Sequence, residues 1–477
     1  MPEHPLESIF HSRSIAVIGA SADPGSLGYH FVRHLIDYGY RGKIYPVNPK
    51  LKEVFGIKAY PDLKEITGSV DYVICCIAAS KVVDILEECP NHDVKVVHLF
   101  TGRLSETGRV EAIEIEKQIL GKAKKHNIRL LGPNCVGVYC PKEGMSFGYD
   151  FPKNSGSVGA FFQSGGTAGE FVRYASLRGV RFSKIISYGN ALDMNETDFL
   201  EYFSEDPETK IIVSYIEGVK DGRRFFNVLR SVSLHKPVVI LKGGRGIAGT
   251  RAAASHTAAL AGSLDVFGTA IKQAGAIQAD SLDSMIDLVV SFSCLPPISG
   301  TRVGIAGGGG GKSVLSADEW EEAGFNVVPL PYSIRNELKD KAPEIWDWIG
   351  NPADRSMMEG SRISTGDILK MMSNETEFDL LIANVTDDAP FEEKKWIAML
   401  EKEVSDSIEI SKRGVKPLAV VLRVGDLGIN HFEDWRWKFI AEQQKRLIDA
   451  QVPVFSSFSR AAGAIRCLVN YYQKKSI

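Results

Sequence analysis

The sequence lacks the apolar run of ~18 residues that a membrane-spanning helix requires. Its longest candidates, Val73 to Ala79 and Leu288 to Leu295, are short and bounded by polar residues. It has no basic start followed by an apolar stretch over Met1 to Ser14, so no secretory leader is expected and a cytoplasmic location follows. Blocks of like charge are absent too. The 56 basic and 59 acidic residues are interspersed and leave a formal charge of -3, which removes the electrostatic footprint of a nucleic-acid binder. The seven cysteines (75, 76, 89, 135, 140, 294 and 467) form no CxxC pair and no Cys/His spacing suited to a metal. Their odd number fits buried thiols better than a disulfide framework, and no metal site is expected.

What is present is the composition of a folded globular protein, 44% hydrophobic and 24% charged. At 477 residues the chain exceeds one ordinary core, and ~100–200 residues per domain gives about three. From Ser14 onward β-branched runs alternate with amphipathic stretches: SIAVIG, KIYPV, VDYVICCI, VKVVHLF, a helix over Thr107 to His126, then IRLLG. That alternation predicts a doubly wound parallel sheet over residues 1–140. Pro141 to Ser155, rich in Gly, Pro and Lys, reads as a linker. A second unit over 151–298 runs through SVGAFFQ, FSKIIS, TKIIVSYIE and KPVVILKGG to a helix over Ser281 to Ser293. A third, over 299–477, opens with TRVGIAGG after a Pro296-Pro297 and Ser299-Gly300 break. The second and third units echo each other: Val158-Gly159 followed by Gly165-Gly166 recurs as Val303-Gly304 followed by Gly310-Gly311, and HKPVVILKGG recurs as VKPLAVVLRVG. A weak internal duplication accounts for this.

Three glycine loops follow predicted strands and precede predicted helices, the context in which backbone N–H groups gather at a helix N-terminus and attract an anion. In the first, Gly19, Gly25 and Gly28 frame a loop in which Ser21 replaces the second glycine of the dinucleotide fingerprint. The second strand ends Asn48-Pro-Lys50, with no acidic residue to bind ribose hydroxyls; Lys50 favours a ligand with a phosphate on or near the ribose, which CoA and NADP both carry. The second loop, Gln163-Ser164-Gly165-Gly166-Thr167, lets backbone approach a phosphate closely, and Ser164 and Thr167 can add hydroxyl donors. The third, Ala306 followed by five glycines and Lys312-Ser313, fails the Walker A pattern at its first position. Gly309, Gly310, Gly311 and Lys312 are read instead as an anion site for one phosphate, paired with the loop at Gly165.

The sharpest feature is His256, set in GGRGIAGTRAAASHTAALAG, a long segment of small residues without the bulk that anchors a core histidine. A neutral imidazole is a competent nucleophile toward an activated phosphoryl group when a partner on its other nitrogen fixes the tautomer and stabilises the cation. Glu217, closing the strand IIVSYIE, is the candidate partner, because strand C-termini gather on the edge where helices begin. In the third unit the corresponding position is Thr386, and His431 lies in a differently composed segment.

In combination these residues resemble the ADP-forming acyl-CoA synthetases, relatives of succinyl-CoA synthetase, and specifically the α subunit of the members split over two chains. The motifs are IAVIGAS, IYPVNPK, LLGPNCVGV, FFQSGGT, SYGNALD, YIEGVKDGRRF and AAASHTAAL. The resemblance implies a Rossmann-like CoA-binding domain followed by two flavodoxin-like ligase domains. It also implies phosphorylation of His256, stabilised by Glu217, with the phosphate held between the loops at Gly165 and Gly310, and CoA contacts at Gly19, Ser21, Lys50 and Asn134. The implied reaction interconverts acyl-CoA, ADP and phosphate with a small carboxylate, CoA and ATP. Nucleotide and Mg2+ would sit on a separate ATP-grasp β subunit, in an α2β2 assembly. Three departures, FTGRLSETG, Gly310-Gly-Lys312-Ser313 and CCIAAS, leave the acyl group open. A non-catalytic CoA sensor and an NADP-dependent oxidoreductase are the competing readings.

Overall fold

The computed structural model describes residues 4, 6–246, 248–249, 251, 264–385, 392–422 and 434–475. They form two compact units, one running to Met285 and the other starting at Ile286.

The first unit carries two sheets. The first sheet has β1 (Ser14–Ile18), followed by helix α1 (Leu27–Tyr38), then β2 (Lys43–Val47), β3 (Tyr72–Cys75), β4 (Val96–Leu99) and β5 (Arg129–Leu131), all parallel, in the order β2-β1-β3-β4-β5. Strands covered by helices on both faces read as unbroken apolar runs, and β1 and β3 are buried along their whole length. α1 stops at Gly39, whose φ of 78° is in the left-handed region that ends helices and whose N–H bonds back to Ile36.

The second sheet holds β6 (Gly137–Tyr139), β7 (Ser155–Phe162), β8 (Phe182–Ser187), β9 (Ile211–Ile216), β10 (Val238–Lys242) and β11 (Ile277–Ala279), ordered β11-β10-β9-β7-β8-β6. Helix α2 (Gly165–Leu177) follows β7, and α3 (Glu196–Glu205) follows β8. Only β6 is antiparallel, pairing with β8. The chain thus enters the second sheet at Gly137, before the alternating pattern signals a new unit. The segment 141–155, expected as a linker, is packed: Phe151 is buried, and the Tyr38 hydroxyl accepts from its N–H (2.8 Å) and donates to its C=O (2.9 Å). Phe147 and Tyr139 lie edge-on to the Phe151 ring, so aromatic burial overrides a loop-like composition. The start of the chain is packed as well; Phe10 is fully buried and stacks on Tyr202 of α3 at 5.2 Å.

One apolar core runs through both sheets, joining Ile15, Val17 and Tyr72 to Phe161, Ile186 and Phe199. A second covers the other face of the first sheet. Backbone hydrogen bonds also stitch the turn after β5 to the turn after β8: Asn190 N–H to Pro133 O, Leu192 N–H to Gly132 O and Met194 N–H to Leu130 O, at 3.0, 2.9 and 3.3 Å. Gly189 permits this. Its φ is 56°, and a Cβ there would lie 2.1 Å from Pro133 O. The Asp193 carboxylate adds bonds to Arg129 Nε and the Leu130 N–H, both 2.8 Å.

Beside β8, Lys184 is buried between Asp206 (2.9 Å) and Glu208 (2.7 Å), and Lys142 holds the other Glu208 oxygen. Burial alone would raise the Glu208 carboxyl, but hydrogen bonds from Lys142 and Lys184 overcome it and hold the group at about 2. A carboxyl held below its unfolded value of about 4.3 gives stability that is full above that pH and is lost as pH falls toward 2. Glu208→Gln is therefore expected to flatten the acid limb of a thermal-denaturation series between pH ~5 and ~2. A limb as steep as wild type counts against this assignment.

The second unit repeats the topology. β12 (Arg302–Gly307), helix α4 (Gly310–Glu322), β13 (Asn326–Val327), β14 (Leu380–Val385), β15 (Leu418–Leu422) and β16 (Val454–Phe455) form a parallel sheet ordered β13-β12-β14-β15-β16 around its own core. Leaving β6 aside, all three sheets follow the flavodoxin-like order 2-1-3-4-5. No helix among the described residues is long and apolar enough to cross a membrane.

Candidate functional site

In an open sheet of this order the ligand crevice lies at the C-terminal ends of the first and third strands, where connections diverge to opposite faces. In the first sheet that point is Gly19, directly after β1. Its φ is 88°, and an added Cβ would lie 3.0 Å from Cys76 O beyond β3. Gly28, in the first turn of α1, is pressed on the same loop: a Cβ there would come within 1.9 Å of Gly19 O. Between them the Ser21 hydroxyl accepts from the Asp23 N–H and Asp23 Oδ1 accepts from the Gly25 N–H, both 3.0 Å. Asn48 clamps the loop from β2, donating to Ala20 O (2.7 Å) and accepting from the Lys50 N–H (2.9 Å). Gly25 and Lys50 are exposed. Five predicted residues, Gly19, Ser21, Gly25, Gly28 and Lys50, therefore share one edge. Overpacking of this kind costs ~1–3 kcal/mol. Gly28→Ala is expected to weaken CoA binding by roughly 5- to 150-fold, read by isothermal titration; unchanged affinity would show that the loop does not bind it.

Asn134 stands elsewhere. It follows β5, three strands from β1 or on the order of 14 Å at ~4.8 Å per strand, and adopts a left-handed backbone with φ 59°. It borders a cavity of about 410 Å³ whose other wall is Gln163, Ser164, Gly165, Gly166 and Glu217. These come from the switch point of the second sheet: β7 and β9 are neighbours, with Phe162 opposite Tyr215. The residues after each, Gln163 and Glu217, must therefore emerge side by side.

At this cavity Ser164 caps α2, its hydroxyl accepting from the Thr167 N–H (3.2 Å) and the Thr167 hydroxyl (3.0 Å). Thr167 thus serves the cap, and of the two predicted hydroxyl donors only Ser164 borders the cavity and keeps a proton to give. Gly165 is required by contact, because a Cβ would lie 2.9 Å from both methyls of Val136 in the turn after β5. Gly166 has no such neighbour.

Glu217 accepts from the Tyr215 hydroxyl through Oε1 (3.2 Å), while Oε2 is buried with no hydrogen-bond partner among the described residues. A buried carboxylate oxygen left unpaired costs roughly 1–3 kcal/mol or more, so the site asks for a donor there. Two residues that the sequence reading did not single out hold Glu217 in place. Gln163 Oε1 accepts from the N–H groups of Glu217 and Gly218. Lys242, which is buried, donates to Glu217 O (2.8 Å) and to Gly243 O. Burial pulls the Lys242 ammonium below the usual lysine range, and the Glu217 charge opposes that only in part. A polar residue closing an apolar strand, as in SVGAFFQ and VVILK, was the available signal for both.

His256 lies outside the described residues, as do Thr386 and His431. The chain leading toward His256 leaves β10 at Gly243, where a Cβ would lie 3.1 Å from Glu217 Cγ.

In the second unit the glycine run after β12 divides by function. Gly307 and Gly308 have φ of 111° and 74°, and a Cβ on either would lie 2.2 Å from Asn384. Gly309 begins α4 without a side-chain cap, Gly311 is open, and the Asp354 carboxylate stands 3.2 Å from a Cβ position on Gly310. Lys312 and Asn384 border a separate cavity of about 220 Å³. Among the described residues no three His, Cys, Asp or Glu side chains are grouped as metal ligands would be.

Residues 13–141 match a CoA binding domain family, and residues 155–292 match the succinyl-CoA ligase like flavodoxin domain family. The chain is 34% identical over 475 residues to the acetate–CoA ligase [ADP-forming] II subunit alpha of Pyrococcus furiosus, covering 97% of each protein. The chain belongs to the family of ADP-forming acetate–CoA ligase α subunits. The acetate–CoA ligase [ADP-forming] of Methanocaldococcus jannaschii is 38% identical over 354 residues, of which this α-subunit-type chain spans about half the length, 49%. Among solved structures the fold matches that of dinucleotide forming acetyl-coenzyme A synthetase 1 of Ca. Korarchaeum cryptofilum, in complex with phosphate and ADP. The TM-score is 0.82 at 29% identity, and the match covers 99% of both chains.

Proposed function

We propose that this chain is the CoA-binding, phosphohistidine-carrying subunit of an ADP-forming acyl-CoA synthetase. The observation that carries the reading is the cavity at the second switch point, lined both by Glu217, whose Oε2 is buried without a partner among the described residues, and by Ser164, Gly165 and Gly166 at the start of α2. A cationic or N–H-bearing group is called for beside Glu217, and an anion is favoured beside Ser164, Gly165 and Gly166. An imidazole carrying a phosphoryl group meets both demands at once.

In the proposed sequence CoA lies along the first sheet, its phosphorylated end at Gly19, Ser21 and Lys50 and its pantetheine arm extended toward Asn134 and the cavity. A phosphate oxygen attacks the thioester carbonyl, the C–S bond breaks, and CoA leaves as the thiolate. His256 then attacks phosphorus of the acyl phosphate and the carboxylate departs. Glu217 accepts the N–H of the resulting phosphoimidazolium, while the N–H groups at Gly165 and Gly166 stabilise the transferring charge; one well-placed donor is worth about 10²–10³ in rate. The phosphoryl group passes finally to ADP. Gly309, Gly310, Gly311 and Lys312 are assigned as a phosphate-binding helix start of the second unit in its own right.

ADP and Mg2+ are assigned to an ATP-grasp β subunit in an α2β2 assembly, in the cytoplasm. The subunit name of the P. furiosus relative and the half-length coverage of the M. jannaschii protein support a second polypeptide. The test is to incubate the chain with radiolabelled phosphate and a panel of acyl-CoAs, with and without a matched ATP-grasp partner. Acid-labile, base-stable label is the expected result, and the acyl-CoA that gives it names the substrate. No label from any acyl-CoA, nor from labelled ATP with the partner present, overturns the reading.

A further inference from the structure

We infer that Gln163 is itself a ligand of the transferred phosphoryl group, donating a hydrogen bond to it from the side-chain amide nitrogen. The inference rests on the phosphohistidine reading of the cavity and adds to it a donor from a side chain.

A glutamine amide carries one acceptor oxygen and an NH2 with two protons, and which end is which must be decided by its neighbours. Here the neighbours decide. Two backbone N–H groups, those of Glu217 and Gly218, converge on one end of the Gln163 amide. An N–H cannot accept, so that end is the oxygen and the NH2 occupies the opposite edge. Among the described residues that nitrogen has no hydrogen-bond partner. Yet Gln163 is only 5% exposed, and it borders the cavity with Ser164, Gly165, Gly166 and Glu217. The amide nitrogen is not among the buried unpaired atoms of the chain, so it is open to the cavity, where an entering acceptor can reach it.

Asn190, which also lines the cavity, has its Nδ2 buried without a partner among the described residues, and the two groups beside the α2 N-terminus are unmet in opposite senses. Gln163 offers protons without an acceptor, and Glu217 Oε2 offers lone pairs without a donor. A ligand that satisfies both must present an anionic oxygen to one and an N–H to the other. A phosphoimidazole has this arrangement, with phosphoryl oxygens on one side of the P–N bond and the ring N–H on the other. Gln163 thus couples the two halves of the site: its oxygen holds the turn that aims Glu217, and its nitrogen contacts what Glu217 helps to form.

Gln163→Glu separates the two roles. It keeps an oxygen for the N–H groups of Glu217 and Gly218, so the turn is retained, and it replaces the NH2 by a second, charged oxygen. The chain with its ATP-grasp partner is assayed for phosphate- and acyl-CoA-dependent labelling, for KM toward inorganic phosphate, for CoA affinity and for melting temperature. The expected result is an unchanged melting temperature and CoA affinity, with KM for phosphate raised about 10²-fold. That defect should shrink as pH falls and the introduced carboxyl gains a proton to donate. Gln163→Met, lacking both functions, should lose labelling at every pH. Wild-type KM in Gln163→Glu, with labelling lost only in Gln163→Met, would show a purely positional role and overturn the inference. A wild-type chain that takes no label overturns the underlying reading, and this inference with it.

Discussion

Replacing His256 by asparagine is expected to abolish acid-labile labelling and lower turnover by on the order of 10⁴ or more, the scale on which covalent nucleophiles fail. The half reactions separate the causes. CoA binding involves the first sheet and should persist, whereas both acyl phosphate consumption and ATP-dependent labelling of the chain should vanish together. Retention of either with His256→Asn would mean that the phosphoryl group passes directly between acyl phosphate and nucleotide, and the histidine would have no covalent role.

The second large effect is expected from Glu217→Gln, and it should divide function from stability. Among the described residues only Tyr215 bonds the carboxylate, and Oε2 is buried without a partner, so neutralising the group removes little that holds the fold together. The melting temperature should be unchanged or higher, a pattern common where function maintains an unfavourable group. Turnover should fall about 10²- to 10⁴-fold, the range for positioned proton-handling groups, because the phosphoimidazolium loses its counter-charge. Label should still form, but its hydrolysis half-life should shorten. A variant that is both destabilised and fully active would assign Glu217 to packing instead.

Much of this was legible in the chain itself because the signals are local. Strands buried on both faces announce themselves as runs such as SIAVIG and IIVSYIE, and a glycine loop between strand and helix restricts where backbone can meet an anion. The meeting of Glu217 with the loop at Gly165 followed from one topological rule, that strand C-termini share an edge. What escaped notice depends on long-range partners. Gln163 looks like an ordinary strand end until the N–H groups of residues 54 and 55 positions later arrive at its oxygen. Lys242 looks like a solvated strand end until it is found buried under the Glu217 carbonyl. The stretch 141–155 has a linker's composition, and only the packing of Phe151 against Tyr38 and Tyr139 shows otherwise. Gly189 is one glycine among 45 until Pro133 O is placed beside it.

The stitching of residues 130–134 to residues 189–194 carries an evolutionary consequence. Most of the seam is backbone against backbone, with Asp193 and Arg129 adding one side-chain pair, so the match depends largely on shape, and Gly189 and the LLGPN turn must change together or stay as they are. A crossover between two relatives that falls between Cys135 and Tyr188 would unite halves shaped by different histories across one shared core. Chimaeras joined there should express poorly, while those that inherit both motifs from one parent should not. In this chain the two sheets are therefore expected to be inherited as a pair.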